Sequence, residues 1–435
     1  MKKIGMLISI AAALSLVLCA CHIVNTKPAA RESRGPGEQT PITLTLWHIW
    51  TTDIDANRIT LAAGLDAVKQ AYPNISFDVD ATETETYKTR IKTSMAVNDV
   101  PDIFFAWGGG FPEAFIETGK VLCLDSYYTK EVEKALPREF LQYQTYDGSI
   151  YGFPFMRAYA TLFANQQIFA ENGLCIPATY DALLSSSQTL SEKGIIPIAV
   201  AGQDMWPLMF HYATLAMREV GPEAVRSALN GDSSFMQQGF IDAGYKFLEL
   251  KHAGAFGEEC LSQAVDPTAD LFKAGDAAMY YYGSWASGGF TADIPIAGDV
   301  VPIIYPGKGG SYDNTFLGGA VDCWMASVDT AYPDEAASVI ILLAQTISTL
   351  GGETGMALPM WDHNGHVPNR VQLPGYGDED YTAVGQIYDQ VVALTDGVGK
   401  DESVLWWDTY LGVKGNRCNE LIVQMFTEDI TPEKF

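Results

Sequence analysis

The sequence predicts an α/β fold built in two lobes, and three observations carry that expectation. From residue 42 onward, strand-like alternation gives way to helical spacing and back again. Single helices separate the first strands, which implies parallel pairing with helices on both faces of a sheet. Residues 41–435 exceed what one hydrophobic core usually serves, so two domains are expected.

Residues 42–47 (ITLTLW) alternate apolar and polar side chains, as a half-buried strand does. Apolar positions at helical spacing follow over 57–71, stopped by Tyr72-Pro73-Asn74. A second strand is expected at 75–80, a helix at 84–97, and an apolar strand at 101–106. Ligands bind such sheets in the loops beyond the carboxyl ends of the strands. Those loops are 47–53, 82–85 and 107–110, and they hold three tryptophans, a histidine and several carboxylates. Further along, 151–155 and 161–164 are extended, and 179–193 is a helix capped by Thr179. Residues 195–200 form a strand, and 206–280 is mostly helical with a strand at its end. Strands are expected at 300–304 and 318–327, and a long helix at 334–349.

Ahead of this region, Lys2 and Lys3 precede an apolar stretch over 4–18 that ends in Leu18-Cys19-Ala20-Cys21. The stretch is too short for an ordinary membrane span and reads as a secretion leader over 1–20. Leu18 at −3 and Ala20 at −1 match a bacterial lipobox, which makes Cys21 the lipidated residue. Residues 21–40 then form a lipidated flexible tether, rich in Pro, Gly and mixed charge. No later stretch is expected to span a membrane.

The formal charge of −26 disfavours nucleic acid and anionic lipid as partners and suits a neutral ligand. Beyond the lipobox lie five cysteines, Cys123, Cys175, Cys260, Cys323 and Cys418, with no CxxC spacing, so no disulfide is assigned. Cys123 and Cys323 sit in apolar runs and are expected to be buried small hydrophobes.

Six segments resemble, in order, the extracellular solute-binding proteins of sugar ABC importers, the family that includes maltose-binding protein. They are Pro101-Asp102-Ile-Phe-Phe-Ala-Trp107 with its three glycines, and Tyr146-Asp-Gly-Ser-Ile-Tyr-Gly-Phe-Pro154 with Asn165 eleven residues on. Leu174-Cys-Ile-Pro177-Ala-Thr179-Tyr-Asp181, Lys193-Gly-Ile-Ile-Pro197 and Trp206-Pro207 follow. The most specific is Phe272-Lys-Ala-Gly275-Asp-Ala-Ala-Met279 leading to Gly283-Ser-Trp285. The resemblance implies a two-lobed periplasmic-binding-protein-like fold (type II) with hinge crossovers. By that analogy the N-terminal lobe takes 41–153 plus 299–350, and the C-terminal lobe 154–298 plus 351–435. It also implies a sugar ligand closed between the lobes, permease subunits of an ABC importer as partners, no cofactor or metal, and a monomer held at the bacterial surface or in the periplasm. Phe163-Ala164-Asn165 and Tyr180-Asp181 depart from the family's usual residues, which argues against copying a known specificity.

A sugar offers a face of C–H groups to aromatic rings and a rim of hydroxyls to carboxylates, amides and Arg. Nine tryptophans suit such a ligand, although tryptophan is also a core residue. Trp285 is the foremost candidate, since the family's equivalent tryptophan stacks on sugar. Trp107 precedes Gly108-Gly109-Gly110, which would let a ligand approach the backbone closely. His48 and Trp50, with Asp53 nearby, follow the first strand, and Glu83, or alternatively Glu85, follows the second. Asp204 and Trp206 lie at a turn, and Arg157 and Tyr159 lie on a crossover. Asp322 is a charge inside an apolar strand, either a cleft residue or the partner of an Arg. Trp406 or its neighbour Trp407 falls near a C-terminal aromatic contact, and Trp361 is a weaker candidate.

Two rivals remain at this point. A secreted carbohydrate-active enzyme would also use aromatics and carboxylates, but no GxSxG or HExxH motif or Cys/His arrangement is present. Asp362-His363-Asn-Gly-His366 offers only a partial metal set. A surface adhesin or sensor partner on the same fold is the second rival.

Overall fold

The computed structural model describes residues 40–53, 55–358, 360 and 377–435. Cys21 and its leader, Trp361, and the Asp362, His363 and His366 group lie outside the described residues.

In chain order the strands begin with β1 (Ile42–His48), β2 (Ile75–Ala81), β3 (Ile103–Trp107), β4 (Thr145–Tyr146), β5 (Ser149–Ile150) and β6 (Phe153–Pro154). They continue with β7 (Ala158–Asn165), β8 (Ile196–Ala199), β9 (Ala277–Gly283), β10 (Val300–Ile303), β11 (Phe316–Gly319), β12 (Asp322–Ala326) and β13 (Ser403–Val404). The first sheet runs β2-β1-β3-β12-β6, with β1, β2 and β3 parallel and β12 antiparallel to β3. The second runs β13-β11-β7-β9-β8, with β10 paired to β7. This is the expected two-lobed α/β arrangement.

Local chemistry starts each early helix where the sequence expected it. Asp55 accepts the Asn57 amide at 2.7 Å and opens the helix Ala56–Ala71. Glu83 accepts the amides of Glu85 and Thr86 and opens Thr84–Val97, which ends on Asn98 at φ 59. A side-chain oxygen there satisfies amides that have no partner within the helix. Thr179 caps Tyr180–Glu192 in the same way, through the Ala182 amide at 3.2 Å.

The first core gathers Trp50, Phe105, Phe155 and Trp324, whose ring centroids lie 5.5–6.2 Å apart. The helix Pro333–Glu353 covers it. By composition its Pro333–Gly352 stretch, with mean hydropathy 1.3, is apolar enough to cross a membrane, contrary to expectation. It is 67% buried here and packs on Ala56–Ala71, where Gly64 leaves room for Leu343, so it is a core helix.

Among the described residues the chain passes between the sheets at 155–157 between β6 and β7, at 320–321 between β11 and β12, and over 354–358. In the third, Leu358 bridges to Arg157. The strand expected at 318–327 is thus two strands in different sheets. Gly318 (φ +138) and Gly319 permit the break, because a Cβ on Gly318 would stand 2.1 Å from the Ala158 carbonyl. β10 and β11 both belong to the second sheet, so the return to the first falls after Gly319, not near residue 299. From Pro41 to Phe435 the whole forms one compact unit.

Candidate ligand-binding cleft

Register brings the candidate residues to one edge of each sheet. Asp322, at the start of β12, pairs with Trp107 at the end of β3, beside the ends of β1 and β2. In the second sheet Gly283 at the end of β9 pairs with Ala160, and Gly318 pairs with Tyr159. The crossovers join these two edges, which brings the flanking loops together at the place where such sheets bind ligands.

On the first half, Trp107 is half-buried, edge-on to Phe105 (4.9 Å) and Phe111 (5.1 Å). Lys88 holds its ammonium 5.3 Å from the Trp107 ring and 2.8 Å from Glu85. Burial pulls the Lys88 pKa down, but Asp408, Glu85 and Glu83 outweigh it and raise the pKa overall. Glu83 is exposed, although two helix amides occupy its carboxylate. His48 and Trp50 are buried, at 1% and 7% exposure. The Trp50 amide donates to His48 Nδ1 at 3.1 Å, and burial together with the nearby Arg58 lowers the His48 pKa to about 4, so the ring is neutral. These two residues underpin the wall instead of forming its surface. Asp53 is exposed and pairs with Arg58 at 3.0 Å.

On the second half, Trp206, Tyr282 and Trp285 form a continuous aromatic surface, with centroids 5.1 Å and 5.3 Å from Tyr282 and 6.5 Å between the tryptophans. Trp206 and Trp285 are half-buried. Gly283 makes this possible, since a Cβ there would stand 2.0 Å from the Trp285 ring. Asp204 accepts the Val265 amide at 2.9 Å. Its pKa is raised by burial and by Glu85 and Glu83 across the cleft, against the Val265 hydrogen bond and Lys88.

Trp406 and Trp407 pack in different places. Trp406 stacks on Phe210 at 4.9 Å and meets Trp285 edge-on at 5.7 Å. Trp407 is fully buried among Tyr212 and Phe235, on the far side.

Between the walls lies the hinge. Tyr159 is buried and bonded to Arg157, whose guanidinium lies 5.3 Å over Phe140. Asp322 is half-buried, and among the described residues its carboxylate has neither hydrogen bond nor ion pair. No arginine among the described residues pairs with it. Burial pushes its pKa up to about 7.

Two expectations change. The glycine run admits protein backbone: a Cβ on Gly108 would meet the Tyr143 carbonyl at 2.5 Å, and one on Gly110 the Tyr410 carbonyl at 2.6 Å. The Gly110 amide donates to the Thr409 carbonyl at 3.0 Å, so this loop is a seam to the helix Trp407–Leu411. Cys323 is buried, but Cys123 is exposed, and all five described cysteines are free thiols.

Sequence reasoning missed Lys88, Tyr282, Asp408, Asp55 and Asp266. Lys88 lies one turn into the helix after Glu83, a signal that was available. Asp55 likewise lies two residues past Asp53 in the loop after the first strand, whereas Tyr282, Asp408 and Asp266 come near the other candidates only through tertiary contacts.

Residues 56–346 match the bacterial extracellular solute-binding protein family, and the chain belongs to that family. Its class is therefore solute binding. A curated relative, an uncharacterized ABC transporter extracellular-binding protein of Pyrococcus horikoshii, is 23% identical over 257 residues. The match spans 57% of each chain, little more than half the relative's length. A solved structure from work on xylan utilization by the thermophilic bacterium Caldanaerobius polysaccharolyticus is 32% identical, with TM-score 0.82 over 90% of this chain and 97% of that one. A chitin oligosaccharide binding protein is 23% identical, with TM-score 0.75 over 91% and 96%, a likeness of fold alone.

Proposed function

We propose that the protein is the substrate-binding component of a carbohydrate ABC importer. It captures a mono- or oligosaccharide between its two halves and delivers it to membrane permease subunits. One observation carries the reading: half-buried tryptophans stand on both sides of a hinge that presents an unpaired carboxylate. Trp107, Trp206 and Trp285 take the C–H faces of sugar rings, while Asp322, Asp204, Glu83, Arg157 and Lys88 take hydroxyls. His48, Trp50, Tyr159 and Trp406 hold these groups in place. The relative from work on xylan utilization supports an oligosaccharide. Lipidation at Cys21 anchors the mature protein, as a monomer, to the cell membrane at the surface or in the periplasm.

A thermal-shift screen tests this with xylo-, chito-, gluco- and galacto-oligosaccharides, their monosaccharides, amino acids and short peptides. A ligand at a hundred times its Kd stabilises the folded state by about 2.7 kcal/mol. Over 395 residues that raises Tm by about 3 °C. At least one sugar is expected to produce this shift. A shift with a peptide or amino acid and none with any sugar overturns the substrate class.

A further inference from the structure

Among the described residues, four cations near the cleft have partners, while two carboxylates do not. Lys88 is paired with Glu85 at 2.8 Å. Arg58 is paired with Asp53 at 3.0 Å, and Arg90 with Asp80 at 2.5 Å, stacked on Trp47. Arg157 is bonded to Tyr159 over Phe140. Against these, Asp322 on the hinge and Asp266 in the first turn of the helix Val265–Ala274 have no hydrogen bond or ion pair among the described residues. Asp204 and Asp55 accept the amides of Val265 and Asn57. Asp55, Asp204 and Asp266 all act on Tyr282, the middle ring of the second aromatic wall. Like charges also lie within electrostatic range of one another, Asp204 with Glu83 and Glu85, and Asp55 with Asp266. The aromatic walls and hinge define the site; its charges decide which sugars it accepts.

We propose that the cleft selects sugars by charge, taking neutral and amino sugars and rejecting those that carry a carboxylate. This rests on the carbohydrate reading above. A uronate entering between the tryptophans meets Asp322 and Asp204, the Lys88 charge is already shared with Glu85, and low-dielectric walls strengthen the repulsion. A hydroxyl or an ammonium in the same place donates to Asp322, which gains the partner it lacks.

Calorimetry on the full chain at pH 7.5 and 0.15 M salt tests the proposal with matched probes. They are xylotriose against glucuronate-bearing xylotriose, cellotriose against its glucuronate trimer, and the N-acetylglucosamine trimer against the glucosamine trimer. In each uronate pair, the neutral member is expected to bind at least tenfold more tightly. The glucosamine trimer is expected to bind at least as tightly as its acetylated partner. In the Asp204→Asn/Asp322→Asn variant, the neutral-over-uronate ratio should fall at least fivefold. The carboxamide oxygen introduced by Asp204→Asn can still accept the Val265 amide, so the helix start is kept. A uronate within threefold of its neutral partner overturns the charge selection while leaving the sugar reading intact. An unchanged ratio in the double variant also overturns it. Binding by no member of the panel overturns the sugar reading and this inference with it.

Discussion

Asp322→Asn isolates the cost of the hinge carboxylate. Its folded pKa of about 7 lies above the ordinary aspartate value of 3.8. Between about pH 4 and 7 the folded chain therefore holds a proton that the unfolded chain has lost. Stability falls as pH rises through that window and levels off above it. A shift of about 3 units sets a ceiling of about 4 kcal/mol. Water reaches this half-buried group through the cleft, and screening reduces the cost to the order of 1–2 kcal/mol. Asparagine keeps the shape and removes the charge. With about 2.1 cal/mol/K of unfolding entropy per residue over 395 residues, the variant should melt about 1–2.5 °C above wild type at pH 8. At pH 4.5 most of that gap should have closed. The assay is calorimetric melting of both proteins from pH 4.5 to 8.5, read as the difference in Tm, so that the general effect of high net charge cancels. The difference should open progressively between about pH 4 and 7 and level off above pH 7, while sugar affinity at pH 7.5 drops about tenfold. A Tm difference that stays flat with pH refutes the reasoning, because the carboxylate would then carry no burial penalty.

Other perturbations separate ligand contacts from scaffold. Trp285→Ala should weaken sugar binding about a hundredfold, roughly 2.7 kcal/mol, with the far-UV spectrum unchanged; intact affinity by calorimetry would remove Trp285 from the cleft. Trp407→Ala should instead cost about 3–5 kcal/mol of stability, because the ring is fully buried; urea denaturation reads this, and a loss below 1 kcal/mol contradicts the packing. Gly110→Ala forces a Cβ to within 2.6 Å of the Tyr410 carbonyl and should cost about 1–3 kcal/mol, lowering Tm by about 1–4 °C; an unchanged Tm would show that the seam yields freely. Glu83→Ala removes the cap of Thr84–Val97 and should cost about 0.5–2 kcal/mol in denaturant melts, whereas Glu83→Gln should retain much of that stability and lose mainly ligand affinity.

Periodicity made the first three strands and two helices legible because each obeys one local rule. A strand alternates, a helix repeats at 3.6 residues, and a capping oxygen marks where the helix starts. The same rules misread 318–327 as a single strand. Continuity of apolar residues cannot reveal that Gly318 and Gly319 let the backbone turn from one sheet into the other. They also read Gly108-Gly109-Gly110 as room for ligand. Glycine marks a close approach, and only the fold shows that the approaching atoms are Tyr143, Tyr410 and Gly412.

By itself the sequence determined the α/β class, the ordered family motifs and the aromatic chemistry at the strand ends, since these depend on neighbours along the chain. Tertiary structure decided which of those residues share a surface. It turned Trp406 toward Trp285 and Trp407 into the core, buried His48 beneath the wall, and left Asp322 on the hinge without a partner. Those outcomes depend on contacts between residues a hundred or more positions apart, such as the pairing of Asp322 with Trp107, and no local pattern encodes them.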